Sequence, residues 1–411
     1  TPDGQRVLVA NEGEPEGYCE GQVDPVGSIS VVDLSGGVAD ARVRTAGFDA
    51  FDGRADELRA AGVRLFGPGA TVSQDLEPEY IATSADGATA WVTLQEANAV
   101  AIVDVAGATV REIVPLGLKD HSVAGQGIDA SDKDDEIAVD THPVKGMYMP
   151  DGAVAYSAGD GAEYVVTANE GDAREYDCFA EEERVKDLDL DPTAFPDAEA
   201  VQADESLGRL TVTTTSPRGD EGYTELHSFG GRSVSILGAD GSQVWDSGDA
   251  LEQLVAERDP EHFNSGHDDN DSFDSRSDAK GPEPEGLDIG AIGGSSYAFV
   301  GLERDSGIAV VDVTDPTGAE IVGYAKNRDF SGDPEAGTAG DLGPEGVHFI
   351  PAADSPTGEP LLLVGNEVSG TTTIWQVDAP GALPEPTLPT DPTEPTDPTH
   401  EPTDDATDDS T

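Results

Sequence analysis

The chain has 411 residues, with 84 Asp and Glu against 22 Lys and Arg, for a formal net charge of -62. Such a balance excludes nucleic acid and anionic membranes as partners, because both are held through Lys and Arg. No apolar run is long enough to span a bilayer.

In chain order, the first element is an apolar run, VLVANE, ending on Glu12. It follows Thr1-Pro2-Asp3-Gly4, which matches the later turn Ala85-Asp86-Gly87, so the chain reads as starting inside a repeat. The next unit is complete. Pro78-Glu79 leads into a strand over Glu79–Ser84, followed by strands over Ala90–Leu94, Ala99–Val105 and Val110–Leu116; the second of these runs on to Glu96. The same pair of features returns as Pro150-Asp151 with VVTANE to Glu170, Pro284-Glu285 with FVGLE to Glu303, and Pro344-Glu345 with LLVGNE to Glu367. Units therefore begin near residues 1, 77, 149, 283 and 343. Short β-rich runs between Gly and Asp turns read as antiparallel hairpins, and four strands per repeat of roughly 40 residues or more make a propeller blade. A β-sandwich also has many short strands, but it does not repeat one carboxylate at one place in every unit. The expected class is all-β, a propeller of four-stranded blades with about five visible.

Innermost strands of a propeller line its channel, and their starts share a face with the bends between second and third strands. Glu79, Asp151, Glu285 and Glu345 at the starts should therefore converge with Glu12, Glu96, Glu170, Glu303 and Glu367 at the bends. Carboxylates so gathered need raised pKa values, inserted basic side chains or a cation. Oxygen donors favour Ca²⁺, and seven scattered histidines without paired spacing argue against zinc. The basic candidates are Arg174, Lys186, Arg232, Arg276, Lys280, Arg304 and Arg328. The structural alternative is that each glutamate caps its own bend. Acidity spread over the whole chain also fits a halophilic surface, screened by salt.

Four insertions, Thr45–Leu76, Gly117–Met149, Gly171–Gly230 and Ala250–Gly281, are expected on the glutamate face, with short helices over Arg54–Ala61 and Leu251–Glu257. Long loops on a rigid scaffold are where binding tends to reside. Two of them carry alternating acids and form a secondary metal candidate: Asp129, Asp132 and Asp134 in one, Asp269 and Asp271 in the other. Neither has the full calcium-loop pattern, and solvated loops are an equal alternative. Cys19 and Cys178 each follow a matching bend motif, which allows a disulfide and an extracellular setting; two unpaired thiols are the alternative. The propeller is expected over 1–379, and the Pro/Thr/acidic stretch 380–411 reads as an extended spacer towards a surface anchor. No G-x-S-x-G elbow, Cys–His pair or phosphate loop supports nucleophilic or nucleotide chemistry.

The segments VLVANEGEP, QDLEPEYIA, THPVKGMYMPD, VVTANEGDAREYD, NDSFDSRSDAKGPEPEGL and DLGPEGVHFIPAADSPTGEPLLLVGNEVSGTTTI resemble the choice-of-anchor I proteins over essentially residues 1–378. That family includes mesenchyme-specific cell-surface glycoproteins of animals that build mineral skeletons, and bacterial members called alkaline phosphatases. The resemblance implies a secreted, seven-bladed propeller held at the cell surface, with about two N-terminal blades outside this stretch. A more distant similarity to calcium-dependent phosphatase propellers and the esterase-like phytase domain falls on Glu285-Gly286 and Glu345-Gly346, with Asp151-Gly152 and Glu79-Tyr80 in the same places. Glu79 lacks the glycine, and the two cysteines and the extreme acidity depart from the pattern. The resulting expectation is a surface propeller binding Ca²⁺ and, through it, a phosphate-bearing small molecule or acidic polymer. One alternative is a metal-dependent phosphatase or phosphodiesterase in which Glu79, Glu170, Glu285 and Glu345 hold Ca²⁺ and Arg276 or Arg304 clamps phosphate. Another is a passive adhesion or mineral-associated module.

Overall fold

The structure, a computed structural model, describes residues 1–378; the stretch expected to form a spacer lies outside the described residues. Five antiparallel sheets follow one another as blades. The first holds Arg6–Asn11, Ser28–Asp33 and Arg42–Gly47, and the second Ile81–Thr83, Thr89–Leu94, Ala99–Asp104 and Thr109–Pro115. The third holds Ala153–Ser157, Glu163–Asn169, Ser233–Gly238 and Gln243–Asp246, and the fourth Pro284–Ile292, Ser295–Leu302, Gly307–Asp312 and Glu320–Lys326. The fifth holds Pro344–Ile350, Leu361–Asn366 and Thr371–Gln376. The first strand of each of blades two to five packs beside the first strand of the neighbouring blade, giving the radial order of a β-propeller. Among the described residues the first and the fifth blades each have three strands.

Strand periodicity explains the core. Alternate residues of one strand point to opposite faces and so belong to different inter-blade layers. In Thr89–Leu94, Ala90, Val92 and Leu94 pack towards the first blade, while Trp91 packs towards the third. In Ser295–Leu302, Ala298, Val300 and Leu302 face the third blade, while Tyr297 and Phe299 face Phe349 and Leu362 of the fifth. Each fully buried Val, Leu or Phe among them contributes about 1.5–3 kcal/mol, and each Ala less. The outer blades have one uncovered face, and there burial alternates: Val7 and Val9 on the first strand and Ile374 on the last are exposed.

Helices lie in the insertions at Ala55–Ala61 and Ala250–Arg258, within a residue of the expected bounds. The first stops at Gly62, whose φ of 109° lets its N–H reach back to the Leu58 and Arg59 carbonyls. The second and third insertions, read as loops in the sequence, instead build a five-stranded sheet. Its order is Glu182–Arg184, Thr211–Thr213, His227–Ser228, Lys145–Met147 and Leu118–Asp120, over a core that includes Ile128, Val144, Leu210 and Val212. Strands of two or three residues leave no readable alternation. No helix among the described residues is long and apolar enough to cross a membrane.

Candidate functional site

A proline, whose ring fixes φ, opens the innermost strands at Pro284 and Pro344 and stands three residues before those at Ile81 and Ala153. The residue before it is Glu77, Met149, Glu283 or Gly343. Three of these have left-handed φ, 46° at Met149, 52° at Glu283 and 68° at Gly343. Proline normally pushes its predecessor into the extended region, and a left-handed non-glycine residue costs roughly 1–2 kcal/mol. The carboxylates flanking Pro284 part company: Glu285 lines the channel mouth, whereas Glu283 lies fully buried among Lys280, Arg276 and Arg304.

At the mouth, Asp151, Glu285, Glu345 and Glu367 line one cavity of about 430 Å³ with Tyr80 and Asn366. Burial, reinforced by Glu96 and Asp151, pushes the Glu79 carboxyl up to about 11. Burial, then Glu170 and Glu303, pushes Glu285 up to about 10. Asp151 rises to about 6 through burial and the charge of Glu345, and Glu345 is raised by burial and by Glu367. One buried oxygen of Glu79 and one of Glu285 accept no hydrogen bond. Carboxylates held this way take up protons or a cation, and an all-oxygen donor set suits a hard divalent ion.

Four of the bend glutamates meet, with two pre-proline glutamates, in two groups of three. Glu12, Glu77 and Glu96 each offer an oxygen, all within 4.8 Å of one another, and Glu170, Glu283 and Glu303 do the same. In the second group Lys280 Nζ lies 2.5 Å from Glu170 Oε1 and 3.1 Å from Glu283 Oε2. Arg276 donates to Glu283 at 2.6 Å, and Arg304 Nε is 3.1 Å from Glu283 and 3.3 Å from Glu303. Burial opposes ionisation of Glu283, yet these three cations hold it down to about 2. In the first group Arg174 pairs with Asp75 and, at 3.1 Å, with Glu77. Burial outweighs Arg174 there and pushes Glu77 up to about 9. Glu170 does not cap its own bend: its oxygens receive Lys280 and, at 3.0 Å, the Gln95 amide of the preceding blade.

Sequence reasoning missed Glu77 and Glu283. The tripeptide Glu-Pro-Glu stands at 77–79 and at 283–285, but it occurs at 14–16 as well and so marks the triads only in part. Arg276 and Arg304, expected as phosphate clamps, are engaged by Glu283. The secondary loop acids lie outside both groups. Asp129 is buried and accepts the Ala138 N–H at 2.7 Å, Asp132 pairs with Arg209 at 2.8 Å, and Asp134 accepts the Glu136 N–H at 3.1 Å. Asp269 accepts the N–H of exposed Asp271 at 2.9 Å. Lys186 pairs with Asp204, Arg232 with Glu252, and Arg328 donates to the Gly266 and Asp269 carbonyls, so none of the three serves the mouth. Cys19 and Cys178 are joined in a disulfide.

The family model of the choice-of-anchor I domain matches residues 1–316. Gigasin-3a of Magallana gigas is 34% identical over 194 residues, covering 43% of this chain and 67% of that protein. A mesenchyme-specific cell surface glycoprotein of Strongylocentrotus purpuratus is 32% identical over 284 residues, 59% of this chain; the match spans 35% of the glycoprotein's length. Among solved structures, the periplasmic gluconolactonase of Pseudomonas aeruginosa aligns over 92% of this chain and 80% of its own, at 15% identity and a TM-score of 0.35. A β-propeller domain from Myceliophteria thermophila aligns over 92% and 81%, at 8% identity and a TM-score of 0.36. The propeller assignment rests on the sheet order described above.

Proposed function

The chain belongs to the choice-of-anchor I domain family, and from that premise we propose that it is an extracellular, surface-displayed β-propeller whose mouth holds Ca²⁺ and, through it, a phosphate-bearing or polyanionic ligand. The observation that carries this reading is the single cavity lined by Asp151, Glu285, Glu345 and Glu367, with no basic side chain in its wall. A chain of net charge -62 repels an anion unless a bound cation bridges the two. Carboxylate-only donors favour Ca²⁺ over softer transition metals. Surface location is supported by the family and by the name of the Strongylocentrotus purpuratus relative, and the Cys19–Cys178 bridge fits an oxidising compartment. Binding is preferred to hydrolysis because Arg276 and Arg304 are already committed to Glu283.

Calorimetric titration with Ca²⁺ after chelation tests the mouth. Saturable binding should weaken roughly tenfold or more in Glu285→Gln and in Glu345→Gln. Unchanged binding in both variants would sink the site. Calcium-dependent cleavage of a simple phosphomonoester, abolished by Glu285→Gln, would replace the binding reading with a phosphatase.

A further inference from the structure

The two glutamate triads occupy equivalent places in the repeat. Each joins the bend glutamates of two successive blades to the pre-proline glutamate of the second: Glu12, Glu96 and Glu77 between blades one and two, and Glu170, Glu303 and Glu283 between blades three and four. The other two junctions lack the third member, because Met149 and Gly343 stand before their prolines.

The equivalent places are neutralised differently. Between blades three and four the cation is part of the chain: the Lys280 ammonium bridges Glu170 and Glu283, while Arg276 and Arg304 complete the balance of three positive charges against three carboxylates. Lys280 stands three residues before Glu283. Three residues before Glu77 stands Gln74, a neutral side chain whose amide is spent on the Asp24 carbonyl at 2.7 Å. Arg174 is shared between Glu77 and Asp75, and among the described residues no other ion pair reaches Glu12, Glu77 or Glu96. Arg64, the other guanidinium close by, pairs with Glu181 and donates to the Glu96 carbonyl. Glu77 is 1% exposed and Glu96 4%, and Oε1 of Glu77 and Oε2 of Glu96 are buried with no hydrogen-bond donor. An uncompensated buried carboxylate is costly.

We propose that the Glu12–Glu77–Glu96 triad is a second, inter-blade binding site for a hard divalent cation, taking the place that the Lys280 ammonium fills at the equivalent junction. Three carboxylates within 4.8 Å supply oxygen ligands of the kind Ca²⁺ takes, and Glu12, the one half-exposed member, leaves a path in from solvent. None of the three lines the mouth cavity, although Glu79 feels the charge of Glu96 and Glu12 as well as that of Asp151. The ion would clamp blade one to blade two, where Lys280 clamps blade three to blade four.

Tyr18 and Tyr176 stack edge to face at 5.9 Å, and both feel the charge of Glu77, so tyrosine-sensitised Tb³⁺ emission from the whole chain reports this site. In a Glu285→Gln background, which cripples the mouth, Tb³⁺ should still bind saturably and be displaced by Ca²⁺. Adding Glu77→Gln should weaken that binding roughly tenfold or more. Glu12→Gln, at the half-exposed member, should do the same if the buried variant fails to fold. Absence of saturable emission in the Glu285→Gln protein, or titrations indifferent to both triad variants, would overturn the proposal. Calcium binding indifferent to Glu285→Gln but lost in Glu77→Gln would instead remove the mouth and leave this site standing.

Discussion

Gly286 lies directly against the backbone carbonyl of Glu345: a Cβ at Gly286 would come 1.5 Å from that oxygen. Gly152 meets the Glu285 carbonyl in the same way, at 2.3 Å. Gly152 and Gly286 therefore let the innermost strands of the third, fourth and fifth blades touch in succession, which is what draws Asp151, Glu285 and Glu345 into one mouth. Gly286→Ala should destabilise the protein by about 3 kcal/mol, at the upper end for overpacking, and weaken Ca²⁺ binding at the mouth. Urea denaturation with and without Ca²⁺ checks this. Gly346→Ala, where the nearest atom to an added Cβ is 3.9 Å away, is the matched control and should be nearly neutral.

Lys280 holds two buried carboxylates, Glu170 and Glu283. Removing its charge in Lys280→Met should cost about 3–5 kcal/mol, as for one partner lost from a buried ion pair. Part of that loss should return in millimolar Ca²⁺, because the freed triad then resembles the one between blades one and two. Equal losses with and without Ca²⁺ would show that the triad cannot exchange an ammonium for a metal ion.

The Cys19–Cys178 bridge closes a separation of 159 residues between the bend loop of the first blade and the insertion of the third. Tyr18 N–H donates to the Asp177 carbonyl at 2.9 Å beside it, and Arg174 emerges four residues earlier. Reduction, or Cys19→Ser with Cys178→Ser, should remove about 2–5 kcal/mol. Thermal melting should show a drop of several degrees; identical midpoints would mean the staple adds nothing.

His121 is fully buried, its Nδ1 2.7 Å from the Gln126 carbonyl, and burial with the charges of Lys119, Arg232 and His142 pushes it down to about 3. The folded ring therefore stays neutral while the unfolded one gains a proton below about 6.5. Stability is fully present above that value and is lost as pH falls from about 6.5 towards 3, on the order of 5 kcal/mol in all. His121→Gln should flatten the fall in melting temperature between pH 7 and 4.5. An unaltered slope would assign that fall to other groups.

Local chemistry made the blades legible. Alternating apolar runs, Asp–Gly turns and the recurrent proline–acidic pair are short-range patterns, so the repeat, the strands and the two insertion helices could be read from residues alone. The mouth acids were legible for the same reason, since each stands at one fixed point of a repeated unit. Glu77 and Glu283 were passed over because an acid before proline carries no periodic signal until its neighbours in space are known. The sheet over Leu118–Ser228 was hidden because its strands are two or three residues long and pair across the chain.

The sequence by itself determined the class of fold, the acidity and the presence of carboxylates at four blade starts and five bends. The tertiary structure decided which of them meet. Lys280 reaches Glu170 across 110 residues, and Arg174 reaches Asp75 across 99. Whether a triad is balanced by an internal ammonium or left with donor-free oxygens depends on which insertion folds back onto which blade. That choice is made by long-range packing and loop closure, which no local pattern encodes.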